Sequence, residues 1–99
     1  MIPVKVTITD DAIHLAPPVG RRGAVARFVL INQGRRPHTF AFGLAKHPSG
    51  TQAGFVRTLR PREQTVVSLF LDYRGTIRWA GTMAADRAKS RMKGTFRIT

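Results

Sequence analysis

The chain has no cysteine. That one absence removes disulfides, iron–sulfur ligation, thiolate zinc sites and thiol nucleophiles, and it leaves the redox compartment unmarked. Acidic residues are almost as scarce, with five Asp and Glu against seventeen Lys and Arg and a formal net charge of +12. The five, Asp10, Asp11, Glu63, Asp72 and Asp86, all fall in turn-like or loop-like stretches. General acid–base catalysis needs positioned carboxylates or a histidine with an orienting partner, so the pattern predicts no enzyme. Ser49, Ser68 and Ser90 also lack the strand-to-helix elbow that exposes a nucleophile. Asp86 reads as a local partner of Arg87, Lys89 or Ser90. No apolar run nears the roughly 18 residues of a membrane span, and the opening MIPVKVTITDD is not a secretory leader. The compartment stays open: periplasmic or extracellular if an export signal has been removed, otherwise cytoplasmic. Internal repeats, low-complexity tracts and linkers are missing too.

What is present is enough for one domain spanning 1–99. The 99 residues are 42% hydrophobic and include six phenylalanines, so a modest core can form in spite of the charge. Most of the basic residues are arginines, which suit bidentate contact with carboxylate or phosphate better than lysines do. The excess predicts attraction to an acidic protein, nucleic acid or an anionic membrane without selecting among them.

The apolar pattern has a period of two almost throughout. Val4, Val6 and Ile8 alternate with Lys5, Thr7 and Thr9, and a short strand over 12–15 precedes Pro17-Pro18. The stretch 24–31 is apolar on both faces and reads as an interior strand. Further strands are predicted over 38–43, 55–59, 65–71, 76–81 and 95–99. Lys46 to Gly50 and Arg60 to Glu63 read as connections, and Tyr73 as a turn aromatic. Ala84, Ala88 and Met92 stand four apart, which predicts a short helical turn or an irregular loop before the last strand. Seven to eight short strands punctuated by Gly and Pro predict an all-β sandwich, with a small barrel as runner-up. Phe55 and Trp79 are placed facing inward.

In this order the segments resemble the cupredoxin family of plastocyanin-like and azurin-like blue copper proteins. The resemblance rests on a strand ending at Asn32 followed by His38 and Phe40, and on the proline turn Arg60-Pro61-Arg62-Glu63 entering a hydrophobic strand. It is completed by Gly75-Thr76-Ile77-Arg78-Trp79 and the ending Met92-Lys93-Gly94-Thr95-Phe96-Arg97-Ile98. It implies a Greek-key β-sandwich, and it puts His38 at the first histidine ligand and Met92 at the axial methionine. Gly81 falls where the family has its cysteine, and Arg87-Ala88 where the second histidine belongs. Two of four ligands are missing, the thiolate among them, so a type 1 copper site is not expected.

An alternative copper site would join His38 and Met92 with Met83, His14 or His47. The bland reading has His38 bonded to backbone and the methionines acting as packing, with the Arg87 guanidinium near the vacated pocket repelling a cation. The resemblance also implies that the loops before His38 and before Met92 share one end. Arg35, Arg36, Arg87, Lys89 and Arg91 would then form a cationic patch on a noncatalytic binding or accessory module. An acidic protein or other polyanion is the expected partner. Nucleic acid is the competing partner class, disfavoured by the inward aromatics.

Overall fold

The computed structural model describes residues 2–46, 52–72 and 74–99. Nine strands form: β1 (Ile2–Ile8), β2 (Ile13–Ala16), β3 (Val19–Gly20), β4 (Val25–Asn32), β5 (His38–Lys46), β6 (Gln52–Leu59), β7 (Gln64–Phe70), β8 (Gly75–Gly81) and β9 (Lys93–Ile98). They build a four-stranded sheet in the order β2-β1-β4-β7 and a five-stranded sheet in the order β3-β9-β8-β5-β6. β1 runs parallel to β4, and β3 runs parallel to β9. The chain crosses between the sheets after β2, β3, β4, β6 and β7, which gives the Greek-key sandwich that the strand pattern implied.

Period-two alternation decides what enters the space between the sheets. Val4, Val6 and Ile8 of β1 and Ala26, Phe28 and Leu30 of β4 line one side. Phe40, Phe42, Phe55, Leu59, Ile77, Trp79, Phe96 and Ile98 line the other. Five phenylalanines meet there: the Phe28 ring lies 4.7 Å from Phe42, 5.2 Å from Phe55 and 5.7 Å from Phe96, and Phe40 lies 5.9 Å from Phe55. Burying such side chains stabilises the fold by about 1.5–3 kcal/mol each. Phe55 and Trp79 face inward, as their alternation predicts.

The run 65–71, apolar on both faces, forms β7, an edge strand whose Val66 and Phe70 are exposed while Val67 enters the core. The 82–92 segment forms turns and one 3-10 turn (Ser90–Met92), in keeping with the short helical turn or irregular loop expected before the last strand. Ala84 and Ala88 are exposed, and Met92 alone of the three is buried. Lys46 belongs to β5, not to a loop, whereas the loop predicted at His47 to Gly50 and the turn role of Tyr73 fall outside the described residues. β3 carries no signal of its own because two residues cannot display a period.

One end of the sandwich gathers the connections 9–12, 33–37, 60–63 and 82–92. Asn32, fully buried at the end of β4, ties two of these connections together. Its Nδ2 donates to the carbonyls of Arg36 (3.0 Å), Leu59 (3.1 Å) and Arg60 (3.2 Å), and its Oδ1 accepts from the Gly34 amide at 2.8 Å.

Candidate functional site

His38 opens β5 on the inward side shared with Phe40 and Phe42, and it is fully buried. A buried imidazole needs partners, and the connections supply two carboxylates. Nδ1 contacts Asp86 Oδ2 at 2.6 Å, and Nε2 contacts Asp10 Oδ1 at 2.8 Å. An ionised carboxylate only accepts, so each ring nitrogen is placed to donate to an Asp oxygen. The bland expectation of backbone bonding by His38 is thus replaced by a side-chain bridge across two loops.

Asp86 is also fully buried. Consecutive turns carry it inward: its amide donates to the Met83 carbonyl at 2.8 Å, and its own carbonyl accepts from the Lys89 amide at 3.0 Å. Its second oxygen, Oδ1, lies 3.5 Å from the Arg36 guanidinium, whose Nε is 3.9 Å from Asp10 Oδ1. Two carboxyl groups, one guanidinium and one imidazole thus close a compact network. The expected local pairing of Asp86 with Arg87, Lys89 or Ser90 side chains does not occur. The guanidinium beside the pocket belongs to Arg36, while Arg87 is exposed and donates from Nε to the Thr82 carbonyl at 2.9 Å.

Asp10 clamps the loop before β5. Its two oxygens accept from the Arg35 amide at 3.1 and 3.0 Å, and Oδ1 also accepts from the Arg36 amide at 3.2 Å. A Cβ on Gly34 would collide with that Asp10 oxygen and come within 3.0 Å of His38 Nε2, so only glycine lets the carboxylate reach the ring. The Arg35 amide, then the His38 ring and the Arg36 amide and charge, hold the Asp10 carboxyl well below its ordinary value of 3.8. A depressed carboxylate pKa stabilises the fold above the unfolded value, and that contribution is lost as pH falls below it. Asp10→Asn is therefore expected to lower the melting temperature at neutral pH. The gap from wild type should narrow progressively below pH 3.8, as thermal melts across the acid range would read.

Gly81 and Met92 complete the surroundings of Asp86. A Cβ built on Gly81 would stand 3.2 Å from Met92 Cε, 3.3 Å from Asp86 Cβ and 3.4 Å from Ile13 Cδ1. The positions that the resemblance gives to histidine, cysteine and methionine ligands do converge, and the Asp86 side chain fills the space between them. Copper does not fit this donor set. His38 has both nitrogens engaged, Gly81 offers no sulfur, and Met92 is a lone thioether. His14 faces outward on β2, Met83 is half-buried at the rim, and His47 lies outside the described residues. Among the described residues no three His, Cys, Asp or Glu side chains are placed to hold a metal ion together.

Gly81→Cys is accordingly expected to overpack the site, costing about 1–3 kcal/mol. Addition of Cu²⁺ should give no intense visible absorption from a thiolate complex. Chemical denaturation and a visible spectrum of the variant check both outcomes.

Of the residues singled out from sequence, the structure brings His38, Met92, Arg36 and Lys89 around Asp10 and Asp86. Lys89 Nζ donates to the Asp10 carbonyl at 2.6 Å and lies 3.8 Å from Asp11. Arg35, Arg87 and Arg91 are exposed at the same end. The acidic half of the network had no sequence signal, because Asp10 and Asp86 lie far along the chain from His38 and sit in loop-like contexts.

No protein-family model matches the chain, and no curated protein matches it in sequence. Solved structures do. Dithionite-reduced auracyanin from Roseiflexus castenholzii superposes with a TM-score of 0.76 at 12% identity over 100% of this chain and 98% of that one. A multicopper oxidase gives 0.76 at 11% identity over 99% of this chain and 44% of its own. The Cu-containing nitrite reductase of Thermus scotoductus SA-01 gives 0.73 at 12% identity, over 99% and 31%. Identities this low establish architecture alone. The chain has the cupredoxin-like fold, without an intact cluster for a type 1 copper site among the described residues.

Proposed function

We propose that this domain is a noncatalytic binding or accessory module that engages an acidic protein partner through its basic loop end. The observation that carries the reading is the replacement of a ligand set by the Asp10–His38–Asp86–Arg36 network, which leaves a closed surface with exposed cations around it. The connections at this end hold seven cations (Arg35, Arg36, Arg60, Arg62, Arg87, Lys89 and Arg91) against four carboxylates (Asp10, Asp11, Glu63 and Asp86), a net of +3. Arg36 and Lys89 are taken up by the network. Arg35, Arg87 and Arg91 are the members of the original five free to meet a partner. Such charges raise association rates and set specificity more than they add affinity.

The test is the binding of poly-L-glutamate at low and moderate salt by wild type and by the triple variant Arg35→Glu, Arg87→Glu, Arg91→Glu. Binding should weaken about tenfold or more and lose most of its salt dependence. Unchanged affinity would remove the loop end as the contact surface.

A further inference from the structure

The outer face of the five-stranded sheet carries charge of one sign. Arg78 on β8 and Lys93 and Arg97 on β9 are exposed, and they alternate with the inward residues Ile77, Trp79, Phe96 and Ile98. The register sets Arg78 opposite Thr95, Lys93 opposite Ala80 and Arg97 opposite Thr76. Arg78 is therefore diagonal to both other cations, at a spacing of roughly 7–8 Å. No Asp or Glu lies on any strand of this sheet, and none of the three cations has a carboxylate partner among the described residues. Neutralisation of the kind seen at Arg36 and Lys89 does not reach this face.

Beside the cations the sheet is smooth. Ala41 and Ala80 pair across β5 and β8, both half-buried. With Gly43, Gly94 and Thr95 they floor a shallow depression of about 450 Å³ that Arg78 and Lys93 border. Cations without counterions select an anionic ligand. An aliphatic floor suits a ligand that also carries apolar side chains. Phe40, Phe42, Phe55 and Phe96 of this sheet are buried, and Trp79, which also lines the depression, is only 8% exposed, so bases would find little ring surface on which to stack. These features favour a polypeptide over a nucleic acid.

We infer that this outer face is a second docking surface, taking an acidic polypeptide segment whose carboxylates pair with Arg78, Lys93 and Arg97 while an adjacent apolar side chain rests on Ala41 and Ala80. The inference rests on the acidic-partner reading above for the class of partner, and on a separate set of residues for the contact.

The experiment is fluorescence anisotropy with a labelled dodecapeptide of Glu-Leu-Glu repeats. An all-Glu dodecapeptide, a single-stranded oligothymidylate and a short DNA duplex serve as comparators. Arg78→Glu with Arg97→Glu should weaken the Glu-Leu-Glu peptide about tenfold or more. Ala80→Gln should weaken that peptide while leaving the all-Glu peptide unchanged. Thermal melts check folding, and Lys93→Glu alone gives an independent reading if the pair unfolds.

Wild-type failure to bind the peptide, or full affinity in the Arg78/Arg97 and Lys93 variants, overturns the inference. Tighter binding of either oligonucleotide than of the peptide overturns the partner class. The loop-end triple variant, read separately with poly-L-glutamate, decides the loop-end reading, so failure of one surface is distinguished from failure of the other.

Discussion

Asp86→Ala is expected to destabilise the domain by about 3–5 kcal/mol, because removing one partner of a buried ion pair strands the other. His38 would keep only the Asp10 contact, and Arg36 would lose its buried ion-pair partner. For a chain of 99 residues this corresponds to a fall in melting temperature on the order of 20 °C, a large share of the stability such a domain possesses. Asp86→Asn keeps an oxygen for the His38 Nδ1–H and removes the charge, so its loss should be smaller, about 1–3 kcal/mol. Urea denaturation of both variants at neutral pH measures the two costs. Equal small losses, within about 0.5 kcal/mol of wild type, would mean that the pair is not buried as described.

The second large effect is a coupling. His38→Phe alone leaves the Asp86 carboxylate fully buried with only the Arg36 guanidinium at 3.5 Å, and Asp86→Leu alone leaves the imidazole half-partnered. Each should cost about 3–5 kcal/mol. Made together, the substitutions put two apolar side chains where the pair was, with Gly81, Met92 and Ile13 around position 86. Well-packed apolar replacement of a buried ion pair is often close to neutral, so the double variant should cost far less than the sum, with a coupling of at least about 3 kcal/mol. Asp10 tolerates the exchange because its side chain is 30% exposed and keeps the Arg35 and Arg36 amides. Additive losses in the double-mutant cycle would show that His38 and Asp86 act independently.

Much of this was legible in the sequence, for a physical reason. Alternation is a local property, so the strands, the inward phenylalanines and the interior placement of β4 could be read from neighbouring residues. The order of strand, turn and methionine segments likewise pointed to the sandwich and brought His38, Gly81 and Met92 to one place. The site's chemistry was not local. Asp10 and Asp86 look like ordinary turn acids, and only the closure of the sandwich brings them to opposite edges of one imidazole. Gly81 illustrates the same limit. It reads as a lost ligand, yet in three dimensions its missing side chain makes room for Asp86. The edge position of β7 was hidden as well, because an exposed Phe70 and a buried Val67 look alike to a pattern of apolar residues.

Side-chain charge ties the loops at this end of the sandwich together: His38 bridges Asp10 and Asp86, and Arg35, Arg87 and Arg91 lie exposed in the same connections.

The Asp86–His38 contact occupies the place that the resemblance gives to copper. Nitrogen-15 spectra of the His38 imidazole, recorded on wild-type protein with and without one equivalent of Cu⁺, probe that contact. Two ring nitrogens with the signature of donors to carboxylates, unchanged by the metal, are expected. A Cu⁺-dependent shift of His38, with stoichiometric copper retained by wild type and lost in Met92→Leu, would overturn it.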